Sequence, residues 1–159
     1  MGVEIERKFL VQGDGWKTSS AVLYRQGYLN RDKNRTVRVR IAGDAAFLTV
    51  KGVSVGATRA EFEYAIPLAD AEGLLTLCDG PLVEKSRHLV RVEGTLWEVD
   101  EFAGANAGLV VAEVELAVED QPFARPEWLG QEVTHDVRYF NSNLATTPYA
   151  MWGAVAADD

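Results

Sequence analysis

The stretch MGVEIERKFLV, residues 1–11, alternates two sets of side chains with a period of two. A β-strand over these residues places Glu4, Glu6 and Lys8 together on one face. Carboxylates two residues apart on a strand lie roughly 7 Å apart, which is close enough to share a divalent cation. Without a cation the two carboxylates repel each other. The stretch therefore predicts a strand whose charged face meets counter-charges from elsewhere in the chain.

Later segments repeat this spacing with pairs of like-charged residues. These pairs are Arg38/Arg40, Glu61/Glu63, Lys85/Arg87, Glu98/Asp100 and Glu113/Glu115. A solvated sheet face usually mixes the two signs, because neighbouring opposite charges stabilise it and like charges destabilise it. Each pair taken singly is also compatible with the wet face of an antiparallel sheet. Taken together, pairs segregated by sign favour ligand sites.

The rest of the chain is typical of an antiparallel β protein with few helices. Besides the first strand, alternation and β-propensity predict strands at 23–30, 36–41, 47–51, 58–66, 83–92, 96–102 and 109–118. Within the second strand, Gly27 indicates a bulge or a close approach of another segment. Eight strands are enough to close a barrel, and a barrel interior can hold polar groups around a small ligand.

Two helices are predicted. The first is capped by Asp70 and ends at Gly80-Pro81. The second is capped by Thr134 or Asp136 and is a single final helix. Their apolar stripes are Leu74, Leu75, Leu77 and Cys78 in the first and Val137, Phe140 and Leu144 in the second.

Length and composition restrict the class of protein. A chain of 159 residues with 47% hydrophobic and 25% charged residues fits one soluble globular domain, here 1–148, followed by a tail at 149–159. The net charge of −8 argues against broad nucleic-acid binding, and no apolar run is long enough for a membrane span. The first strand leaves no room for a signal peptide, and Cys78 is the single cysteine. We therefore expect a cytoplasmic protein.

Eight segments in order resemble one known family. They are EIERKFLV, VRVR, LTVKG, TRAEFEYAI, VEKSR, WEVDEF, VAEVEL and EVTHDVRYFNSNLA, which together extend from Val3 to about Ala145. The pattern is similar to that of the CYTH superfamily, the triphosphate tunnel metalloenzymes, whose hallmark is Glu-x-Glu-x-Lys. The resemblance implies an α+β fold, mainly antiparallel β: an eight-stranded closed tunnel barrel with a polar, charged interior and flanking helices. In the tail, Tyr149 and Trp152 can dock on this barrel.

The resemblance also implies the activity. We expect metal-dependent hydrolysis of a triphosphate, with inorganic tripolyphosphate cleaved to pyrophosphate and phosphate, weaker activity on nucleoside triphosphates, and one or two Mg²⁺ or Mn²⁺ ions as cofactor. A class IV-type adenylate cyclase and a thiamine triphosphatase are alternatives with the same fold. A non-catalytic module that binds nucleotides or polyphosphate is an alternative of another class. The partner is a small-molecule triphosphate, with neither nucleic acid nor membrane expected, and a homodimer stays open.

The implied site residues fall into three sets. The substrate-binding set is Lys8, Arg38, Arg40, Lys51, Arg59, Lys85 and Arg87. The metal-binding set is Glu4, Glu6, Glu61, Glu63, Glu113 and Glu115. The catalytic set is Glu4, Glu6, Lys8, Arg40 and Lys85. The roles of Glu98 and Asp100 stay open. Some relatives carry a Lys where this chain has Val137, and Arg138 is the nearest substitute for the missing cation.

Other candidate groups carry little chemistry. His88 falls on the apolar face of its strand and is interpreted as a packed or surface histidine, and His135 as structural. Ser86 has no His or Asp partner in a triad-like placement, and Cys78 lies in an apolar stripe. No P-loop or dinucleotide-binding glycine pattern occurs.

Overall fold

The structure is a computed structural model that describes residues 2–152. Met1 and residues 153–159 of the predicted tail lie outside the described residues. The strands are β1 (Val3–Val11), β2 (Val22–Asn30), β3 (Arg35–Ala42), β4 (Ala45–Gly52), β5 (Thr58–Ala65), β6 (Val83–Val92), β7 (Thr95–Phe102), β8 (Val110–Glu115) and β9 (Leu129–Glu132). The helices are α1 (Leu68–Leu75) and α2 (Asn141–Leu144), with 3₁₀ turns at Gly104–Asn106, Val137–Tyr139 and Tyr149–Met151. None of the described helices is long and apolar enough to cross a membrane.

Strands β1 to β8 form a closed antiparallel barrel. Their order is β5-β4-β3-β2-β6-β7-β8-β1, and β5 pairs in turn with β1 to close the sheet. The closing ladder joins residues 3–5 of β1 to residues 58–60 of β5. The short strand β9 pairs with β1 further along, at Phe9 and Val11. The predicted eight-stranded barrel is confirmed, and its predicted strands are all present with ends shifted by a few residues.

The barrel wall has a charged inner face and an apolar outer face. The register pairs Lys8 with Glu113 and Glu98 with the same Glu113, so side chains from three neighbouring strands meet on one face. The outer face packs against connecting segments that bring in Trp16 and Trp128. Helix α1 covers the outer face of β3 and β4. The main apolar packing therefore lies outside the wall, and this leaves the interior to the charged residues.

A separate apolar cluster joins the barrel to the C-terminal segment. It consists of Tyr28, Val83, Phe102, Leu109, Val111, Leu144 and Ala145. Tyr149 and Trp152 pack against it, and the Tyr149 amide donates to Asn106 Oδ1 at 2.8 Å. The predicted docking of these two aromatic residues is confirmed. Their packing holds α2 against the barrel.

The first predicted helix is present, but its details differ. Pro67 occupies the N-cap position and Asp70 lies in the first turn, where its charge favours the helix dipole without capping it. The helix ends at Leu75, so Leu77 lies beyond it and is 69% exposed. The sequence pattern does not indicate Pro67 as the start of the helix, and it extends the predicted apolar stripe beyond Leu75, the last helical residue.

The predicted final helix is wrong as a single element. Asp136 does cap its first turn, because its carboxylate accepts the Arg138 amide hydrogen. Phe140 then adopts an extended backbone, with φ −70° and ψ 135°, which separates the 3₁₀ turn Val137–Tyr139 from α2. The strand β9 was not predicted, because LGQE shows no alternation and follows Pro126 closely.

The close approach predicted at Gly27 is confirmed. A Cβ atom at this position would lie 2.7 Å from Leu82 and 2.9 Å from Cys78, in the segment between α1 and β6. Only glycine lets that segment pack directly on β2.

Candidate active site

The barrel encloses a cavity of about 330 Å³, a size typical of small-molecule sites. Of the residues predicted from sequence, it is lined by Glu4, Glu6, Lys8, Arg38, Arg40, Lys51, Arg59, Glu61, Glu63, Arg87, Glu113 and Glu115. Glu98, whose role the sequence left open, also lines it. The register of the barrel thus brings predicted side chains from six strands, and Glu98 from a seventh, into one space.

Lys85 is the predicted site residue that does not line this cavity. Its side chain is fully buried, with Nζ 2.7 Å from Asp100 Oδ2 and 3.0 Å from Asn141 Oδ1. Burial lowers the pKa of Lys85 to about 7, and the nearby charges of Arg87 and Arg40 act in the same direction while Asp100 opposes them. In this arrangement Lys85 supports the wall of the cavity from behind.

Three arginines form the cationic side of the cavity. Arg40 donates from Nε to Gln26 Oε1 at 2.7 Å, and its guanidinium lies 4.8 Å from the centroid of the Tyr24 ring. The Arg87 guanidinium lies 4.7 Å from the same centroid. Burial lowers the pKa of Arg40 to about 10, helped by the charges of Arg38 and Arg87. Such cation crowding would be relieved by an anion.

Arg38 gives an independent sign of a missing anion. Its side chain is buried, and its Nε has no hydrogen-bond partner within the described chain. Its Nη2 atom donates to Thr49 at 3.2 Å and lies 3.7 Å from Glu63. Within residues 2–152, Arg40 has no carboxylate within 4.0 Å. Buried donors without partners are rare in folded proteins, so Arg38 Nε is suited to a phosphate oxygen. The Arg40 guanidinium, which no carboxylate neutralises among the described residues, is suited to the same anion.

The carboxylates on the opposite side are held by lysines. Lys8 Nζ lies 2.7 Å from Glu113 and 3.5 Å from Glu6. Lys51 Nζ lies 2.7 Å from Glu4 and 3.5 Å from Glu61. Each of the two lysines therefore compensates part of the negative charge of two carboxylates.

Crowding among the carboxylates perturbs their acidity. Burial raises the pKa of Glu6, and the charge of Glu113 adds to this effect. The pKa of Glu115 is also raised, by burial and then by the charges of Glu4 and Glu6. Burial opposes ionisation of Glu113 as well, but Lys8 and Arg87 hold its pKa well below the usual value. Burial and the neighbouring carboxylates therefore disfavour the charged forms of Glu6 and Glu115.

These residues fit a divalent cation by their chemistry. Among residues 2–152, no three His, Cys, Asp or Glu side chains already converge at metal-binding distance, and lysines contact two of the cavity carboxylates at 2.7 Å. The donor set consists of carboxylate oxygens, which Mg²⁺ and Mn²⁺ prefer. A bound cation would offset the repulsion that Glu6 and Glu115 experience from neighbouring carboxylates.

The two residues that the sequence left open have different environments. Asp100 is buried between Lys85 and Arg87, and although burial opposes it, these two charges lower its pKa to about 2. Glu98 lies at the cavity wall, 3.2 Å from Arg87 Nη1. Asp100 is thus committed to internal ion pairs, whereas Glu98 faces the cavity.

Sequence reasoning missed several uncharged residues of the site. They are Tyr24, Gln26, Tyr28, Thr36, Phe47, Thr134, Phe140, Asn141 and Ser142. Alternation along β2 places Tyr24, Gln26 and Tyr28 on one face, but no charge pattern assigns them a role. No signal pointed to Asn141. Arg138, the proposed substitute cation, is not among the cavity residues and pairs with Asp136 at 2.7 Å on the surface.

The histidines and the cysteine lie away from the cavity. His88 is buried on the outer face against Trp16, and its Nδ1 accepts the Thr18 amide hydrogen at 3.0 Å. This confirms the interpretation of a packed histidine. His135 is exposed, and Cys78 is half-buried just after α1.

The comparisons with known proteins agree with this geometry. The sequence profile of the CYTH domain matches residues 2–149. This chain belongs to the CYTH family. The chain is 53% identical over 151 residues to an inorganic triphosphatase of Acetivibrio thermocellus, a match that covers 94% of this chain and 97% of the relative. It is 41% identical over 146 residues to an inorganic triphosphatase of Nitrosomonas europaea, covering 89% and 96%.

A solved structure shares the fold. The crystal structure of an inorganic triphosphatase that is 40% identical superimposes with a TM-score of 0.66, covering 91% of this CYTH chain and 95% of that chain. CYTH triphosphatases are generally metal-dependent. The closed barrel with a charged interior is therefore the triphosphate tunnel fold.

Proposed function

We propose that this CYTH protein is a metal-dependent inorganic triphosphatase that hydrolyses tripolyphosphate to pyrophosphate and phosphate, with weaker activity on nucleoside triphosphates. The single observation that carries the proposal is the division of one cavity into two sides. Arg38 Nε has no hydrogen-bond partner and Arg40 has no carboxylate within 4.0 Å among the described residues, whereas burial and neighbouring carboxylates raise the pKa of Glu6 and of Glu115. A triphosphate with a divalent cation supplies both missing charges.

In the proposed mechanism the basic residues bind and orient the phosphate chain. Arg38, Arg40 and Arg87 present rigid guanidinium groups to its oxygens. Lys8 and Lys51 are shared between carboxylates and the cavity, so both can turn to phosphate oxygens when the anion enters. Lys85 keeps Asp100 neutralised and so preserves the orientation of Arg87. Arg59 extends the basic surface at the cavity wall.

The acidic residues would hold one or two Mg²⁺ or Mn²⁺ ions. The candidates are Glu4, Glu6, Glu61, Glu63, Glu113 and Glu115, all of which line the cavity. When bound, such an ion neutralises phosphate charge and lowers the pKa of a water molecule for in-line attack. Glu98 is the further cavity carboxylate available to orient water.

The test is to identify products. Purified protein is incubated with Mg²⁺ or Mn²⁺ and, separately, with tripolyphosphate, ATP and thiamine triphosphate. We expect fastest turnover of tripolyphosphate, because the charged groups of the cavity suit phosphate oxygens and the Tyr24 ring is already engaged by two guanidinium groups. Cyclic AMP as the main product would identify a cyclase, and tight binding without turnover a non-catalytic module. Full activity in excess EDTA would remove the metal from the mechanism.

The proposal also covers the cellular compartment and the oligomeric state of the protein. We place the activity in the cytoplasm, on the basis of the single Cys78, and cell fractionation tests this placement. A homodimer remains a prediction that light scattering of the purified protein measures.

A further inference from the structure

Asn141 is the side chain through which the C-terminal segment reaches the cavity. It begins α2, is half-buried and forms part of the cavity wall. Its Oδ1 lies 3.0 Å from Lys85 Nζ and 3.3 Å from Gln26 Nε2. The side chain thus contacts the supporting network behind the cavity as well as the cavity itself.

The network fixes which way the Asn141 amide points. Arg40 can only donate hydrogen bonds, so Gln26 must present Oε1 to Arg40 Nε, 2.7 Å away. Gln26 then presents Nε2 to Asn141, and this contact requires Oδ1 of Asn141 rather than its Nδ2. Lys85 Nζ donates to the same oxygen at 3.0 Å. The orientation is therefore set by hydrogen-bond chemistry.

The fixed orientation leaves an unused donor. With Oδ1 turned to the network, Nδ2 of Asn141 makes no hydrogen bond to another described residue. This Nδ2 atom is not buried, so it is accessible at the cavity wall. A neutral N–H donor beside a cluster of arginines suits a phosphate oxygen.

We propose that Asn141 is a substrate-contacting residue, which donates from Nδ2 to a phosphate oxygen of the triphosphate. The inference rests on the proposed function. It assigns the contact from the C-terminal segment to Asn141 instead of Arg138, which pairs with Asp136 on the surface. It also links the packing of α2 on the barrel to substrate binding, because Asn141 accepts hydrogen bonds from Gln26 and Lys85 in the barrel wall.

The test replaces the donor while preserving the supporting contacts. Asn141→Asp keeps oxygens for Lys85 and Gln26 but places a carboxylate oxygen where the amide donor was. Asn141→Ala removes the donor without adding charge. Asn143→Asp is the matched control, because it adds the same charge to the same short helix at a residue outside the cavity wall. The readouts are the Kd of tripolyphosphate without metal, kcat and KM with Mg²⁺, and the Tm without ligand.

We expect the Kd of tripolyphosphate to rise on the order of tenfold in Asn141→Ala and more in Asn141→Asp, because a hydrogen bond to a charged group is lost. The Tm of Asn141→Asp should hold or rise, since its carboxylate pairs with Lys85. Asn143→Asp should alter neither quantity appreciably. If Asn141 only stabilised the fold, a higher Kd would not accompany a Tm that holds or rises.

The outcomes separate the two proposals. If the wild-type protein neither binds nor hydrolyses tripolyphosphate, the proposed function fails and this inference with it. If the wild-type protein does both and the two Asn141 variants bind like it, only the inference is overturned. A loss of affinity confined to variants with a lowered Tm also overturns it, because the asparagine would then act through the fold.

Discussion

Two arginine–carboxylate pairs of nearly the same geometry lie on opposite faces of the barrel wall. Inside, Arg87 donates from Nε and Nη2 to Asp100 at 2.8 and 2.9 Å. Outside, Arg7 donates from the same two atoms to Glu132 at 2.8 and 2.6 Å. The pKa of each carboxylate is about 2: Lys85 and Arg87 lower that of Asp100 against its burial, and the Arg7 hydrogen bond lowers that of Glu132. Pair geometry and a lowered pKa therefore do not by themselves mark a functional site.

The surroundings distinguish the pairs. Arg87 also lies within 4.0 Å of Glu98 and Glu113 and belongs to the cavity wall. Arg7 lies over the rings of Phe9 and Phe123 and has one carboxylate partner among the described residues. The inner pair belongs to a network of charged side chains that share partners along the cavity wall. The outer pair consists of one arginine and one carboxylate. Changes inside should therefore affect catalysis, and changes outside should affect stability.

The largest effect is expected from removing two inner carboxylates. Glu4→Gln with Glu6→Gln should lower kcat for tripolyphosphate by more than about 10³-fold, because two groups that would hold the metal lose their charge. Anion binding should survive, since the basic residues remain. The measurement is kcat together with thermal melts at low salt, with and without tripolyphosphate.

The controls for this prediction lie on both faces. Glu72→Gln disrupts a different, exposed ion pair, the one with Arg25. This variant should leave kcat within about twofold of the wild-type value. Lys85→Ala with Arg87→Ala should lose most of the Tm rise that tripolyphosphate induces. If this basic variant kept the rise while the Glu4/Glu6 variant lost it, the division of the cavity into anion and metal sides would be wrong.

The next effect contrasts two arginines. Arg40→Ala should lower kcat/KM on the order of 10²-fold, because a charge-assisted phosphate contact is lost. Its Tm should hold or rise, since burial and the charges of Arg38 and Arg87 disfavour the Arg40 cation. Arg7→Ala should do the reverse, with kcat/KM within about threefold of wild type and a Tm lower by a few degrees. Equal losses of activity in the two variants would contradict the inside–outside distinction.

The sequence predicted the strands and their charged face because both follow from a period of two, whereas the resemblance to the CYTH family implied that the strands close into a barrel. Pairs such as Arg38/Arg40 can share a face only in a strand, so their recurrence fixed strand identity and side together. The prediction placed nearly all the charged cavity residues in one space. It did not resolve that Lys85 and Asp100 lie behind the cavity wall, because depth within a barrel depends on strand tilt and register.

What the sequence could not predict depends on contacts between distant segments. Strand β9 is flanked by two backbone hydrogen bonds to the first strand region: Val133 N donates to Lys8 O, and Gln12 N donates to Trp128 O. The residues of β9 themselves carry no strand pattern. The break at Phe140 places Asn141 at the cavity, although i, i+3 and i+7 spacing favoured one continuous helix. Neutral groups such as Gln26 and Asn141 carry no charge signal, so their roles emerge only from their partners.

The smallest effect concerns the outer pair alone and is a change of stability with pH. The Arg7 hydrogen bond, with help from Thr134, lowers the pKa of Glu132 from 4.5 to about 2. A carboxylate whose pKa is lowered on folding stabilises the protein above its unfolded pKa, and that stabilisation disappears as the pH falls through the folded pKa. Glu132→Gln should therefore be less stable than wild type at neutral pH, and the two proteins should converge as the pH falls from 4.5 toward 2.

Solvent limits the size of this difference. The Glu132 side chain is 35% exposed, so the pair should contribute about 1 kcal/mol or less, which corresponds to at most about 4 °C in Tm for a chain of this size. Other carboxylates titrate in the same range, but they do so in both proteins and cancel in the difference between their Tm values. The inner pair offers no equivalent measurement, because Asp100→Asn would leave Lys85 and Arg87 buried without their main partner. A Tm difference that stays constant from neutral pH to about pH 2 would mean that Glu132 is not paired in solution, and the comparison between the two faces would lose its outer member.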